Sequence, residues 1–134
     1  MISVGKERKF FDLREANRTL PLVSRIVRDV VDANARMREI HLEARQSIEN
    51  GQTREAEALQ DRLQQLGFER STYVEELEEL GIELKDPNVG LVDFPAMLDG
   101  RIVYLCWKLG EEAIDHWHEL SAGFTGRRPV GDEF

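Results

Sequence analysis

A chain of 134 residues with a formal net charge of −8 has the length of one domain that buries roughly two-thirds of its unfolded surface. It is too acidic for nucleic acid to be its main partner, because phosphate binding needs clustered Lys and Arg in excess. The single cysteine, Cys106, excludes an internal disulfide, and no 18-residue apolar run and no apolar signal core in Met1 to Lys9 occur, so a cytoplasmic protein without membrane association is expected.

Along the chain, Phe11-Asp12-Leu13-Arg14-Glu15 has the form of a helix start. Asp12 is the N-cap, Glu15 its capping-box partner and Phe11 an apolar staple. Pro21 suits a first helical turn better than an interior, so the expectation is a short helix, a bend near Thr19-Leu20 and a long helix from Pro21. Val23, Ile26, Val30, Ala33, Met37, Ile40 and Ala44 then recur at alternating three and four, continuing to Ile48, the repeat of a helix–helix seam. Ala56, Leu59, Leu63, Leu66, Arg70, Tyr73, Leu77 and Leu80 keep the same rhythm, with Arg70 its only charged member. Gly51 between the runs suits a left-handed helix end, so residues 21–80 should form an antiparallel hairpin with seams along about 40 Å at 1.5 Å per residue. Residues 1–50 carry net +2 and residues 51–85 net −5, which points to opposite charges flanking the seam.

After Leu80 the period changes. Gly81 ends the helix, and Ile82 to Lys85 alternates as a short strand. Asp86-Pro87-Asn88-Val89-Gly90 is turn chemistry. Leu91 to Phe94 returns as a strand that Pro95 should stop. Asp99-Gly100 is a tight-turn pair before Arg101 to Lys108, the most strand-like run. That run is apolar on both faces, so it calls for cover on both, one from the hairpin and one from the C-terminal segment or a partner chain. Gly110 breaks it; Glu111 to Leu120 reads as a short helix with Ala113, Ile114 and Trp117 inward, and Ser121 to Phe134 as a loop and tail rich in Gly and Arg.

The string Phe11-Asp12-Leu13-Arg14-Glu15-Ala16-Asn17, Gly81-Ile82-Glu83-Leu84-Lys85-Asp86-Pro87, Gly90-Leu91-Val92-Asp93-Phe94-Pro95-Ala96, Val103-Tyr104-Leu105-Cys106-Trp107 and Trp117-His118-Glu119-Leu120 resembles the bacterial domain-of-unknown-function family 2203. The resemblance spans nearly the whole chain and implies no activity and no catalytic residues.

Chemistry is therefore weighed residue by residue. Cys106, Asp115, His116 and His118 are the candidate metal ligands, since thiolate, imidazole and carboxylate suit Zn or Fe. On a helix, however, His116 and His118 lie about 200° apart and cannot share one ion. Tyr104, Trp107, His118, Arg127 and Arg128 are the candidate ligand-binding residues. Gly123 to Arg128 can offer backbone N–H groups and guanidinium forks to an anion, although Arg127 and Arg128 more simply pair with the chain's many acids. Cys106 with a histidine, or Asp93 and Asp99 near the turn, would serve catalysis, but a mid-strand thiol suggests burial. The resulting expectation is an α+β domain over residues 1–134: a coiled-coil-like hairpin within a helical part (10–80), a small antiparallel sheet (81–109), and a short helix and tail (110–134). Functionally it reads as a non-catalytic self-associating interaction or scaffold module, a homodimer or a binder of a protein partner, with no cofactor. The alternative is a small-molecule, anion or metal-binding protein, potentially an enzyme, using a divalent metal and a site near the C-terminal strand and the His/Arg-rich segment.

Overall fold

The computed structural model describes residues 9–134; the polar stretch 1–8 lies outside the described residues. Two helices, α1 (Leu13–Glu49) and α2 (Thr53–Glu79), precede five strands, β1 (Glu83–Asp86), β2 (Leu91–Leu98), β3 (Arg101–Lys108), β4 (His116–Glu119) and β5 (Arg128–Pro129). The strands form one antiparallel sheet in chain order. No described helix is long and apolar enough to cross a membrane.

The helix start is as read: Asp12 and Glu15 form the capping box, and Phe11 packs edge-on against Phe94 at 5.3 Å. The bend at Pro21 is absent. One helix runs through it, because Ala16 before the proline and Val23 after it are both fully buried in the same core. Burial on both sides outweighs the roughly 3 kcal/mol that an interior proline costs. Asn17 adds a tie: its amide donates to the carbonyls of Leu13 (3.0 Å) and Ile114 (3.1 Å), and its oxygen accepts the Ile114 N–H (2.8 Å).

Gly51, at φ 72°, turns the chain between the helices. The seam holds from Val23 to Ala44 and then rotates, so that Ser47 is buried and Ile48 is 57% exposed. Among the described residues no ion pair crosses from α1 to α2; the charges on their outer faces reach solvent, where such pairs contribute little. What crosses instead is polar: Arg70 donates to Asn34 Oδ1 at 2.6 Å, and Asn88 Oδ1 accepts both Asn34 Nδ2 and Arg38 Nη1 at 2.7 Å. A polar layer in an apolar seam sets its register. Arg70→Leu, which strands the Asn34 oxygen, should therefore cost roughly 1–3 kcal/mol by urea unfolding, and adding Asn34→Leu should recover most of it. An additive double variant would show that the two side chains do not act together.

The sheet packs on the N-terminal half of α1 through Val92, Phe94, Ala96, Val103, Leu105, Trp107 and Trp117, leaving the distal hairpin as an arm. Strand β2 does not stop at Pro95. The Pro95 carbonyl accepts the Phe11 N–H at 2.8 Å, so its missing N–H faces the side beyond the end of β1, where no ladder bond is lost. The short helix expected at 111–120 is a turn followed by β4, which adds to β3 with Leu105 opposite Trp117. Gly110, at φ 105°, redirects the chain, and the free edge of β3 offers His116-Trp117-His118-Glu119 a ladder. Ile114 and Trp117 are buried as expected, whereas Ala113 is exposed. Both faces of β3 are covered within this chain: Tyr104 is 8% exposed and Cys106 1%. Of the two covers the sequence left open for the second face, the C-terminal segment or a partner chain, residues of this chain bury Tyr104 and Cys106.

Candidate functional site

The sheet face turned away from the helices is polar, and it is organised by register. The two-residue turn at Asp99-Gly100 sets Asp93 of β2 directly opposite Cys106 of β3. Cys106 is in turn opposite His116 of β4, and Tyr104 opposite His118. From β4 the His118 ring reaches across β3, between Tyr104 and Cys106, to Asp93. Asp93, Cys106 and His118 are all buried, and a ligand atom from each lies within 4.8 Å of the others.

The hydrogen bonds of His118 orient the cluster. Its Nδ1 sits 2.8 Å from the Glu119 carbonyl oxygen. A carbonyl only accepts, so Nδ1 carries a hydrogen and donates it. Nε2 faces Asp93 Oδ1 at 3.1 Å, with both side chains no more than 4% exposed. A hydrogen on Nε2 or on Oδ1 makes this a hydrogen bond of ordinary length. Burial raises the pKa of the Asp93 carboxyl, opposed by His118, so a proton can fill the gap. A metal ion can fill it as well, and a ring nitrogen held by a carbonyl on its far side is the usual posture of a ligating histidine.

Cys106 completes the set. Burial, then the nearby Asp93 charge, pushes its thiol up to about 12 against the pull of Arg127. As a nucleophile it is poorly served, because it is buried and protonated and both His118 nitrogens point elsewhere. A metal removes that objection, since coordination itself deprotonates a thiol. Arg127 lies against the sulfur and is clamped by Glu111 through two hydrogen bonds, 3.0 and 2.5 Å. Its guanidinium stacks 4.3 Å from the Phe124 ring. Burial opposes ionisation of Glu111, yet hydrogen bonds from Arg127 and the Lys108 N–H outweigh it and lower its pKa. On the other flank, Tyr104 donates to Glu83 at 3.0 Å, with Lys85 over its ring.

Of the residues picked from sequence, Tyr104, Cys106, His118 and Arg127 meet on this face. Trp107 does not join them: it lies on the opposite face, in the helix-side core. Arg128 sits over Trp117 at 5.1 Å, on the side away from Cys106. Asp115 and His116 bond to each other at 2.6 Å, with Asp115 mostly exposed, outside the buried trio. Asp93, weighed from sequence for catalysis and not as a metal ligand, takes the place given to Asp115. The Asp99-Gly100 turn was the signal that could have found it, since the register it imposes brings residue 93 to residue 106.

A family model described as an uncharacterized conserved protein, DUF2203, matches residues 9–130, and the chain belongs to that family. No curated protein and no solved structure matches.

Proposed function

We propose that this DUF2203 protein binds one divalent transition metal ion, zinc-like in its preferences, through an Asp93 carboxylate oxygen, Cys106 Sγ and His118 Nε2. The observation that carries this reading is the convergence of three buried groups, Asp93, Cys106 and His118, with one ligand atom from each within 4.8 Å of the others and His118 Nε2 only 3.1 Å from Asp93 Oδ1. Mixed O, S and N donors suit zinc or ferrous iron, and three protein donors leave a fourth position for water or a small ligand. Carboxylate and thiolate together neutralise a dication, which lowers the cost of burying it. Metal–ligand bonds of about 2.0–2.3 Å place tetrahedral donors roughly 3.5 Å apart, a spacing that the Nε2–Oδ1 pair at 3.1 Å already meets and that the trio, within 4.8 Å, approaches as a whole.

The test is titration of metal-free protein with cobalt and then zinc. One ion per chain is expected, with thiolate-to-cobalt charge-transfer absorption that Cys106→Ser abolishes. Because the free thiol ionises only near 12, binding must expel its proton, and the apparent affinity should rise about tenfold per pH unit across the neutral range. Cobalt bound without the charge-transfer band would place the metal elsewhere and sink the assignment.

A further inference from the structure

Residues 120–127 cross from β4 to β5 and bring the Arg127 side chain against the Cys106 sulfur of the buried trio. The backbone hydrogen bonds of this segment are local: Ala122 N–H to the Glu119 carbonyl, Gly126 to Gly123, and Arg127 to Phe124, at 3.1 to 3.2 Å. Gly123 takes a φ of 66°, a left-handed bend that glycine adopts at no steric cost. Among the described residues, the segment's ties to the rest of the fold are the Ala122 bond to the end of β4 and the Arg127 side chain, which makes two hydrogen bonds to Glu111, 3.0 and 2.5 Å, and lies against the Cys106 sulfur. The Phe124 ring adds softer contacts with Arg127 at 4.3 Å and with Lys108 at 5.8 Å.

We infer that residues 120–127 form a strap over the Asp93, Cys106 and His118 cluster, latched by the Glu111–Arg127 pair, and that opening of this latch is the route by which a metal ion enters and leaves. The inference rests on the metal-binding reading for its cargo, while the latch itself stands on the geometry alone. A segment whose backbone bonds are local and whose outside ties run chiefly through one side chain, Arg127, has few interactions to lose on opening, which is the character of a locally unfolding unit. The strands beneath it, by contrast, are locked by their ladder pairs and the core.

Because Cys106 is the only cysteine, its alkylation by iodoacetamide reads the opening directly in the metal-free protein. Glu111→Gln preserves the acceptor for the Lys108 N–H (2.8 Å) but loses the charged fork, and Arg127→Lys keeps the charge without the fork. Both should raise the alkylation rate at least tenfold at pH 8, whereas Arg70→Leu, which loosens the helical arm instead, should leave it unchanged. In zinc-loaded protein the same two variants should speed zinc removal by excess EDTA by a similar factor at unchanged stoichiometry. Alkylation that stays slow in both latch variants, or rises equally in Arg70→Leu, overturns the strap. Faster alkylation with unchanged zinc removal overturns its role as the metal route. Faster alkylation in a protein that never takes up zinc leaves the latch standing and removes the metal reading.

Discussion

Gly90→Ala should be among the most damaging single-methyl changes in this protein, lowering stability by about 2–5 kcal/mol. Two costs add. Gly90 has φ +76°, and a Cβ there would lie 2.8 Å from both Leu109 Cβ and Val27 Cγ1 and 3.2 Å from Val31 Cγ2. The left-handed backbone costs a non-glycine residue roughly 1–2 kcal/mol, and overpacking a well-filled core roughly 1–3 kcal/mol. The contact matters because Gly90 is where the turn after β1 meets α1, with its carbonyl accepting the Leu109 N–H at 3.0 Å. Gly100→Ala is the matched control: φ is +78°, but nothing lies within 4 Å of the new methyl, so only the backbone cost of about 1–2 kcal/mol remains. Urea unfolding of the two variants isolates the clash, and equal losses would mean that α1 does not press on Gly90.

Asp93→Asn should move two properties in opposite directions. In the metal-free protein the new amide can donate to His118 Nε2, keeping a hydrogen bond across the pair without a buried carboxyl group. Stability should hold or rise by about 1 kcal/mol. In the metal-bound protein the neutral amide is a poor ligand, so zinc affinity should fall on the order of a hundredfold, about 2.8 kcal/mol. His118→Ala, in contrast, leaves a carboxylate in a place only 3–4% exposed. It should lose both zinc binding and roughly 3–5 kcal/mol of metal-free stability. Thermal melts with and without zinc give both quantities. A cluster that is only structural would show Asp93→Asn and wild type shifting identically with zinc, or not at all.

The legible part of the site was its chemistry. Cys106, His118 and Arg127 stand out as thiol, imidazole and guanidinium near one strand, and residue type alone is enough to pick them. Their acid partner was not legible in the same way. Asp115 and His116 are neighbours of His118 in sequence, and a reading based on a helix at 111–120 can weigh only partners three or four residues away. With that segment as β4, alternation sends His118 to the sheet's outer face, and its reach spans two strands to Asp93, 25 residues earlier in the chain.

The same division runs through the whole fold. The capping box at Asp12 and Glu15, the two seams, the Gly51 turn and the span of β3 follow from signals carried within a few residues of each other, where helix period, glycine freedom and β-branching act directly. The continuity of α1 through Pro21, the passage of β2 through Pro95 and the conversion of 116–119 into a strand were settled only by tertiary contacts. In each case local preference pointed one way, and buried core on both sides of Pro21, the Phe11 N–H bonding the Pro95 carbonyl or the open edge of β3 supplied a larger free energy the other way. The meeting of Asp93, Cys106 and His118 belongs to that second group, because it depends on the register of three strands at once.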